Sequence, residues 1–341
     1  MTPPAVLAVG VTDLIEVLIE GLGTAGVFVM IASGLTLIFG LMGVLNFAHG
    51  ALTTVGGYVG GFALLYITGA LALDFTIGWF PLGAFLLWLV ALVVTGLVLA
   101  LIGGVIEFGL VRKLYGRAPV EQILLTFGVA LVIQEFVYMI LGPWQKGLPD
   151  PTSSWGEPIV SGPSFMAGGK TFDVLGISIR SLTPVKMFLG ILVIVGVWAF
   201  LNKTRYGLFI RAGTEDAEMA QALGINVQRV FTVVFGIGIG LAGMAGMFLI
   251  WEASYDLTYL MGSQALLPAF IIVVVGGLGT FKGTVVASVI GGIFFEFGVM
   301  LQTQVFTDFS QLNNVFIFLL LVLVLIVKPQ GLFGQEGVGG H

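Results

Sequence analysis

The sequence predicts an all-α protein, a polytopic transmembrane helical bundle of about eight or nine membrane segments that include short or broken helices. Of its 341 residues, 58% are hydrophobic and only 9% are charged, and the mean hydropathy is +1.10. A soluble domain carries nearer a quarter charged residues. Apolar runs of about 20 residues, the length that crosses the hydrocarbon core as a helix, recur along the chain. These runs are continuous rather than alternating with a period of two, which disfavours a transmembrane β-barrel.

The predicted membrane segments follow one another along the whole chain, and we assign residues 1–341 to a single transmembrane domain. The seventh segment has only about 14 residues, which is short for a full crossing and indicates a half-helix or a re-entrant segment. The segments are 14–42, 47–68, 80–110, 121–142, 185–201, 229–251, 264–277, 284–303 and 312–328.

The positions of the basic residues predict the orientation of the chain. Threading the segments in order puts one large group of Lys and Arg on a single face, and such residues are concentrated in cytoplasmic loops. We therefore expect a cell-membrane protein with its N-terminus outside and its C-terminus in the cytoplasm. The group consists of Arg112, Lys113, Arg117, Lys203, Arg205, Arg211, Arg229, Lys282 and Lys328.

Two polar stretches interrupt the apolar pattern. The outer one, about 143–184, is rich in proline and contains Trp144 and Trp155, so we interpret it as a loop. It is either a passive cap or a docking surface for an external partner. The cytoplasmic one, about 202–229, predicts a short amphipathic helix over 215–223.

The predicted cytoplasmic helix has recognisable ends. Thr214 can cap its start, and Glu215 and Asp216 suit the positive end of the helix dipole. Gly224 ends it. The helix is either an ordinary interfacial helix or one that transmits force from a soluble partner.

Two glycine patterns resemble nucleotide-binding motifs but lack their context. Gly238, Gly240 and Gly243 form a GxGxxG inside an apolar segment rather than after a strand, which favours close helix packing. A P-loop requires Gly directly before Lys, and Phe281 precedes Lys282. We therefore expect neither ATPase motifs nor a cofactor in this chain, and no enzyme activity.

Two breaks between apolar runs are candidates for a path through the membrane. Irregular backbone at membrane depth is tolerated where it lies against protein or lines a water-filled cavity. Each break is either a plain turn or a lining element, and His49 is either a structural histidine or part of the path. The path residues we predict are Asn46, His49, Gly50, Gly276, Gly277 and Gly279.

Three glutamates fall within predicted segments, and ionisable groups at membrane depth are candidates for function. Glu107 lies close in sequence to Arg112 and can pair with it. Glu135 and Glu296 lie deeper, and we expect each to be protonated or paired inside the bundle.

The sequence resembles the permeases of branched-chain amino-acid ABC importers, specifically the H-type (Liv-type) membrane subunit. The likeness covers about Leu14 to Gly331. It is carried by Gly34–Gly50 (GLTLIFGLMGVLNFAHG), Gly56-Gly57-Tyr58, Asn202–Gly207 (NKTRYG), Arg211-Ala212, Glu215–Ile225 and Val275–Gly283.

This resemblance implies an importer with a second homologous permease, two ABC ATPase subunits that use ATP and Mg, and an extracytoplasmic solute-binding protein. It implies that the short cytoplasmic helix seats in a groove of the ATPase. The coupling residues predicted on this basis are Arg211, Glu215, Asp216, Ala217, Glu218, Ala220, Gly224 and Ile225.

Two other functions stay open. A sister ABC importer for urea or short-chain amides has very similar permeases. An ion-coupled secondary carrier would transport by this chain alone. A membrane enzyme is disfavoured because no catalytic constellation is visible.

Overall fold

A computed structural model describes residues 10–71, 82–141, 171–215, 217–250, 258–306 and 312–334. Within these ranges the chain forms eleven α-helices, one 3₁₀ turn (Val111–Leu114) and one two-stranded sheet. The elements are α1 Val11–Met42, α2 Ala48–Leu71, α3 Leu82–Gly109, α4 Pro119–Leu141, β1 Thr171–Val174, β2 Ile177–Arg180, α5 Thr183–Lys203, α6 Arg205–Glu215, α7 Ala217–Ala222, α8 Val227–Leu249, α9 Met261–Gly276, α10 Phe281–Gln304 and α11 Leu312–Val327.

The helices confirm the predicted polytopic bundle. Each of the nine predicted segments corresponds to one helix, and the ends agree to within three residues. Among the described residues, six helices are long and apolar enough to cross a membrane, and α9 and α11 are shorter apolar helices. Helix α9, the predicted half-helix, has 16 residues.

Helix α1 lies at the centre of the bundle, and glycines let its neighbours approach closely. A Cβ atom added at Gly26 would lie 2.2 Å from the Lys186 carbonyl oxygen on α5. One added at Gly34 would lie 2.3 Å from the Gly238 carbonyl oxygen on α8. Such contacts are possible only for residues without a side chain, and they increase van der Waals contact between helices.

Helix α8 uses its glycines in the same way, as the sequence predicts. Added Cβ atoms would lie 2.9 Å or less from atoms of α3 or α2 at Gly236, Gly240, Gly243 and Gly246. The GxGxxG pattern is therefore a packing face, and this prediction is confirmed.

Two residues of α1 mark opposite ends of the bundle. Glu20 contacts the hairpin at one end, because its Oε1 accepts from the Arg180 backbone N–H at 2.6 Å. Gly40 packs on Gly279 at the other. The 20 residues between them span about 30 Å of helix, which is about the thickness of the hydrocarbon core. We call these ends the Glu20 end and the Gly40 end.

The polar stretch assigned to a loop over 143–184 contains regular structure in its described part. Strands β1 and β2 form an antiparallel hairpin, in which Phe172 pairs with Ile179. Leu175 and Gly176 join them with positive φ angles of 55° and 80°, as type I′ hairpin turns require. The connection between α4 and α5 therefore contains a β-hairpin in its described part, and Trp144 and Trp155 lie outside the described residues.

The hairpin is fastened to α1 by backbone donors. The N–H groups of Ser178 and Arg180 donate to the carboxylates of Glu16 and Glu20, at 2.7 and 2.6 Å. Alternate residues of a strand are about 6.6 Å apart, and residues i and i+4 of a helix are about 6 Å apart. The spacing of the two backbone donors on β2 therefore matches the spacing of the two carboxylates on α1. The carboxylates thus satisfy part of an otherwise open strand edge.

Candidate functional site

The break between α1 and α2 returns the chain to the interior of the bundle. Helix α1 ends at Met42, and the residue that caps it, Gly43, has a φ of 64°. After a short link, the Nε2 atom of His49 lies 3.1 Å from the carbonyl oxygen of Ile31. Ile31 precedes the end of α1 by about 16 Å of helix. Helix α2 therefore begins well inside the bundle instead of at its surface.

Asn46 and Thr126 hold this buried helix start. The Oδ1 atom of Asn46 accepts from the Ala48 N–H at 3.1 Å, as an N-cap side chain does. The Thr126 hydroxyl on α4 accepts from the Phe47 N–H at 3.2 Å and lies 3.1 Å from the Leu45 carbonyl oxygen. The link is therefore hydrogen-bonded even though it is not helical.

Helix α9 begins beside α2. An added Cβ at Gly50 would lie 2.7 Å from the Gly262 carbonyl oxygen, and the Gly262 N–H donates to the Thr54 hydroxyl at 2.9 Å. Two helices thus start next to each other within the bundle. The predicted path residue Gly50 lies at this junction.

A cavity of about 200 Å³ lies between α1, the 43–47 link and α9. Its two polar lining residues are Asn46 and Ser263. The Ser263 hydroxyl accepts a hydrogen bond from Gln134 on α4. The apolar lining consists of Leu35, Leu45, Phe47, Leu266, Leu267 and Phe270.

His49 is fully buried at the contact of α1, α2 and α8 rather than in this cavity. Its ring lies against Gly34, and its Nδ1 atom has no hydrogen-bond partner among the described residues. The structure thus brings Asn46, His49 and Gly50 together, with Asn46 as the one that lines the cavity.

The second predicted break, at Gly276, Gly277 and Gly279, lies at the Gly40 end. Gly277 and Gly279 have positive φ angles of 102° and 78°. The carboxyl-terminal segment 331–334 covers this turn: the Phe333 N–H donates to the Gly276 carbonyl oxygen at 3.1 Å. These glycines do not line the cavity, and a role in the path stays a prediction.

The cytoplasmic stretch is helical from Arg205, and it is described as α6 and α7 on either side of residue 216, which lies outside the described residues. Thr204 caps α6, because its hydroxyl accepts from the Gly207 N–H at 3.2 Å. Thr214 lies inside α6, so its predicted role as the cap at the start of the helix is wrong. Gly224 has a φ of 86°, which fits its predicted role as the helix end.

Helix α7 has a buried and an exposed side. Ala220 is buried and accepts from the Ile225 N–H at 3.0 Å, and Ile225 packs against the main apolar core. Met219 and Leu223, four residues apart, are 58% and 75% exposed. Of the other predicted coupling residues, Arg211 is exposed and donates to the Leu201 carbonyl oxygen at 2.6 Å. Asp216 and the side chains of Glu215, Ala217 and Glu218 lie outside the described part of the chain.

Glu107 is fully buried at the Gly40 end and pairs with Arg112, as predicted. Two guanidinium nitrogens donate to its two carboxylate oxygens, at 3.2 and 3.0 Å. Tyr115 and Thr232 also donate to it, at 2.5 and 2.7 Å. This Glu107 network joins the end of α3 to the second turn of α8, which follows α7 directly.

The Glu107 carboxylate keeps its donors protonated. Burial and then the hydrogen bond to Glu107 raise the pKa of the Tyr115 phenol well above its usual range. The hydrogen bond to Glu107 raises the pKa of Arg112. Sequence reasoning missed Tyr115 and Thr232, and only the spacing of Tyr115 from Arg112 could have indicated the first.

A second network lies at the Glu20 end. Glu296 on α10 is buried and accepts from Arg180 and Thr24, both at 2.6 Å. Arg180 also lies 3.5 Å from Glu20, which accepts from Thr183 at 2.6 Å. This Glu20–Glu296 network shows that Glu296 is paired, as predicted. Glu135, in contrast, is exposed on α4, so its predicted position inside the bundle is wrong.

Comparison with known proteins identifies the family of the chain. Residues 17–325 match the family described as "Branched-chain amino acid transport system / permease component". The chain is 27% identical to the high-affinity branched-chain amino acid transport system permease protein BraD of Pseudomonas aeruginosa, over 95% of this chain and 97% of that protein.

Two further relatives carry related names. The chain is 26% identical to the permease protein LivH of the same kind of system in Escherichia coli, over 95% of this chain and 96% of that protein. It is 26% identical to a probable branched-chain amino acid transport permease protein LivH of Methanocaldococcus jannaschii, over 92% and 90%. No solved structure matches the chain. Nine-tenths of its residues lie inside the family match. The chain therefore belongs to the family of branched-chain amino acid transport permeases.

Proposed function

We propose that this chain is the membrane-spanning permease subunit of an ATP-binding-cassette importer that brings branched-chain or related amino acids into the cell. The observation that carries the proposal is the family match over residues 17–325, together with relatives of the same length named for this transport. The chain works with a second homologous permease, two ATPase subunits that use ATP and Mg, and an extracytoplasmic solute-binding protein.

The path for the substrate runs by the α1–α2 break. Asn46, His49 and Gly50 lie at a helix start inside the bundle, next to the start of α9 and the cavity. Discontinuous helices at membrane depth are typical of transport sites, because their ends expose backbone groups and dipoles. Gly276, Gly277 and Gly279 belong to the proposed path as the turn that ends α9.

The ATPase contact is α7 with the residues around it. Met219 in α7 and Leu223 directly after it expose two apolar side chains, while Ala220 and Ile225 attach this segment to the core. An exposed apolar pair beside charged residues is suited to a groove of a soluble partner. Glu215, Asp216 and Glu218 supply acidic groups, and Arg211 a basic one.

The Gly40 end faces the cytoplasm. Arg112 and Arg117 lie between α3 and α4 at this end of the bundle, and Lys282 lies in the first turn of α10. The predominance of Lys and Arg in cytoplasmic loops is the physical basis of the assignment. The N-terminus is then outside and the C-terminus inside. The α6–α7 stretch is placed where an ATPase can reach it.

The experiment is purification of the tagged full-length chain from membranes of its own cells. The wild type is compared with a variant that carries Glu215→Ala, Asp216→Ala and Glu218→Ala. We expect a second permease and ATPase subunits to co-purify with the wild type, and the ATPase subunits to be lost from the variant. Mass spectrometry and ATPase activity measure both.

The control is Glu121→Ala, which removes an exposed acidic residue at the same end of the bundle, where it pairs with Arg117. This variant is expected to retain the ATPase subunits. A stable lone chain that drives ion-gradient-dependent uptake would overturn the proposal in favour of a secondary carrier. Uptake of urea or a short-chain amide instead of leucine would replace the substrate class.

A further inference from the structure

Helix α4 is the least enclosed of the long apolar helices. In its most apolar stretch only 17% of the residues are buried, against 33% to 83% in the other five described helices that are long enough to cross a membrane. Its buried residues Thr126, Ala130 and Val137 lie on the side that packs on α2. The opposite side of α4 is therefore left to lipid or to another protein.

Glu135 lies on this opposite side. It follows the buried Thr126 by nine residues, which is about two and a half turns of helix, so the two side chains point in opposite directions. Glu135 is exposed. Within the described ranges it takes part in none of the ion pairs that hold Glu20, Glu107 and Glu296. Its carboxyl group therefore projects away from the bundle.

Glu135 also lies near the middle of the membrane-spanning thickness. The preceding residue, Gln134, donates to the Ser263 hydroxyl at the start of α9. The starts of α9 and α2 lie side by side, and α2 starts beside Ile31 of α1. Along α1, Ile31 is about 16 Å of helix from one end of the bundle and about 13 Å from the other.

A carboxyl group at this depth is unsuited to a surface that faces lipid. Hydrocarbon offers no hydrogen-bond partner, and ionisable side chains of membrane-spanning helices are almost always directed to protein or to a water-filled cavity. The nearer end of the bundle is more than about two turns of helix away, too far for the short side chain of Glu135 to reach the headgroups. The position of this residue therefore indicates that another protein covers the outer side of α4.

The surroundings of Glu135 fit a second helix. Exposed positions of α4 are spaced alternately four and three residues apart, as in left-handed helix pairs. Among them, Leu124 and Leu131 are 66% and 47% exposed. A Cβ added at Gly128 would meet no atom within 4 Å, so the glycine leaves room for a partner helix to approach closely. We call this set the α4 seam, and it consists of Leu124, Gly128, Leu131, Glu135 and Tyr138.

The carboxyl group also indicates which kind of partner covers the α4 seam. Two copies of one chain enter a membrane in the same orientation, so a symmetric pair on this seam would place both Glu135 side chains at the same depth beside the axis. Two carboxylates in contact repel each other. A different chain can instead present a hydrogen-bond donor at that depth, and polar contacts between membrane helices stabilise their association.

We propose that the second permease packs on the α4 seam, and that a side-chain donor of that permease meets the Glu135 carboxyl group at mid-depth. The inference rests on the proposed function, because that function supplies a second membrane subunit that differs from this chain in sequence. It adds the face of the bundle on which the two permeases pair and the polar contact that fixes their register.

Photo-cross-linking in native membranes tests the position of the interface. The photoreactive amino acid p-benzoylphenylalanine takes the place of Leu131 in the tagged full-length chain, and Glu135 stays unchanged. After irradiation and purification, we expect mass spectrometry to find a peptide of the second permease joined to α4. The matched control carries the same amino acid in place of Ile191, which is 59% exposed in the membrane-spanning helix α5. This control is expected to react with lipid and not with the second permease.

A substitution tests the polar contact. For Glu135→Leu we expect a roughly three- to tenfold smaller share of second permease that co-purifies in mild detergent, because hydrogen bonds between membrane helices contribute about that much. Glu135→Gln keeps an acceptor and should lose less. Glu121→Leu removes an exposed glutamate of the same helix at the aqueous boundary, where it pairs with Arg117. It should lose less than about twofold, because exposed ion pairs contribute little.

The expected signs differ from those of a lipid-facing surface. If lipid covered the α4 seam, Glu135→Leu would remove a costly polar group, and recovery of the second permease would be unchanged or higher. That result overturns the proposal. So does a probe at Leu131 that reacts only with lipid, with a second copy of this chain or with an ATPase subunit, or that labels the second permease no more than the Ile191 probe does.

The outcomes also separate this inference from the proposed function. A wild-type chain from which no second permease and no ATPase subunits can be co-purified contradicts the proposed function. A wild type that retains both, while the probe at Leu131 fails to reach the second permease, overturns the α4 seam alone. Since that probe leaves Glu135 in place, it decides the question even where Glu135→Leu does not assemble.

Discussion

The Glu107 network and the Glu20–Glu296 network lie at opposite ends of the bundle, and each buries a carboxylate against an arginine. They differ in where the partners come from. Arg112 and Tyr115 follow Glu107 by five and eight residues, and Thr232 alone is distant. Arg180 and Thr24 are 116 and 272 residues from Glu296. The first network fastens a local corner to α8, and the second assembles elements that are far apart in the chain.

The comparison shows that two networks of buried carboxylates can differ in how much they contribute to the assembly of the bundle. Arg180 lies between two buried carboxylates and belongs to the hairpin that is docked on α1. Arg112 donates to a single carboxylate, that of Glu107, which also accepts from Tyr115 and Thr232. We therefore expect substitutions at the Glu20 end to lower the free energy of unfolding more than substitutions in the Glu107 network do.

The largest effect is expected for Arg180→Ala. Removal of one partner from a buried ion pair leaves an uncompensated charge and costs about 3–5 kcal/mol. The measurement is the midpoint of thermal unfolding in detergent. Arg117→Ala is the control, because it breaks an exposed pair with Glu121, and such pairs contribute about 0–1 kcal/mol. Equal midpoints for the two variants would remove the distinction between buried and exposed pairs.

A smaller effect is expected for Arg112→Ala. The buried Glu107 loses two hydrogen bonds but retains those from Tyr115 and Thr232. We therefore expect the free energy of unfolding to fall by about 2–3 kcal/mol. Lys113→Ala, at the exposed neighbour in the same 3₁₀ turn, is the matched control. A loss equal to that of Arg180→Ala would show that the two ends contribute equally.

Thr232→Val isolates the one distant partner of Glu107. The change keeps the shape of the side chain and removes the hydroxyl, which should cost about 1–2 kcal/mol. Thr303→Val, where the hydroxyl donates to carbonyl oxygens of its own helix, should cost less. A double-mutant cycle with Arg112→Ala measures whether Thr232 and Arg112 act together, as their 2.6 Å contact predicts.

The smallest effect concerns pH. Because the pKa of Tyr115 is raised on folding, its stabilising contribution is fully present below the unfolded value of about 10 and declines only above it. The difference in unfolding midpoint between the wild type and Tyr115→Phe should therefore stay constant between pH 6 and 9. Above pH 10 the wild type should lose more stability than Tyr115→Phe does. A difference between the two proteins that changes with pH near neutrality would contradict the assignment of the phenol as the donor.

Much of the candidate site could be anticipated from the chain alone because its features are local. Continuous apolar runs specify membrane helices, since a backbone in lipid must satisfy its own hydrogen bonds. The break at Asn46 follows from polar residues and glycines between two such runs. The pairing of Glu107 with Arg112 follows from their proximity in sequence. The start of the cytoplasmic helical stretch at Arg205 was missed because Thr204 and Thr214 are equally suitable caps by residue type.

What the sequence by itself determined is the number, the extent and the apolar character of the helices, and the membership of the family. Tertiary structure alone decided that α2 begins beside Ile31, that Asn46 and Ser263 line one cavity, and that Glu296 meets Arg180 while Glu135 faces outward. The physical reason is that helix formation in a membrane depends on local backbone hydrogen bonding and apolarity. The partner of a buried polar group depends on which helices pack together, and here glycine contacts between distant segments specify that packing.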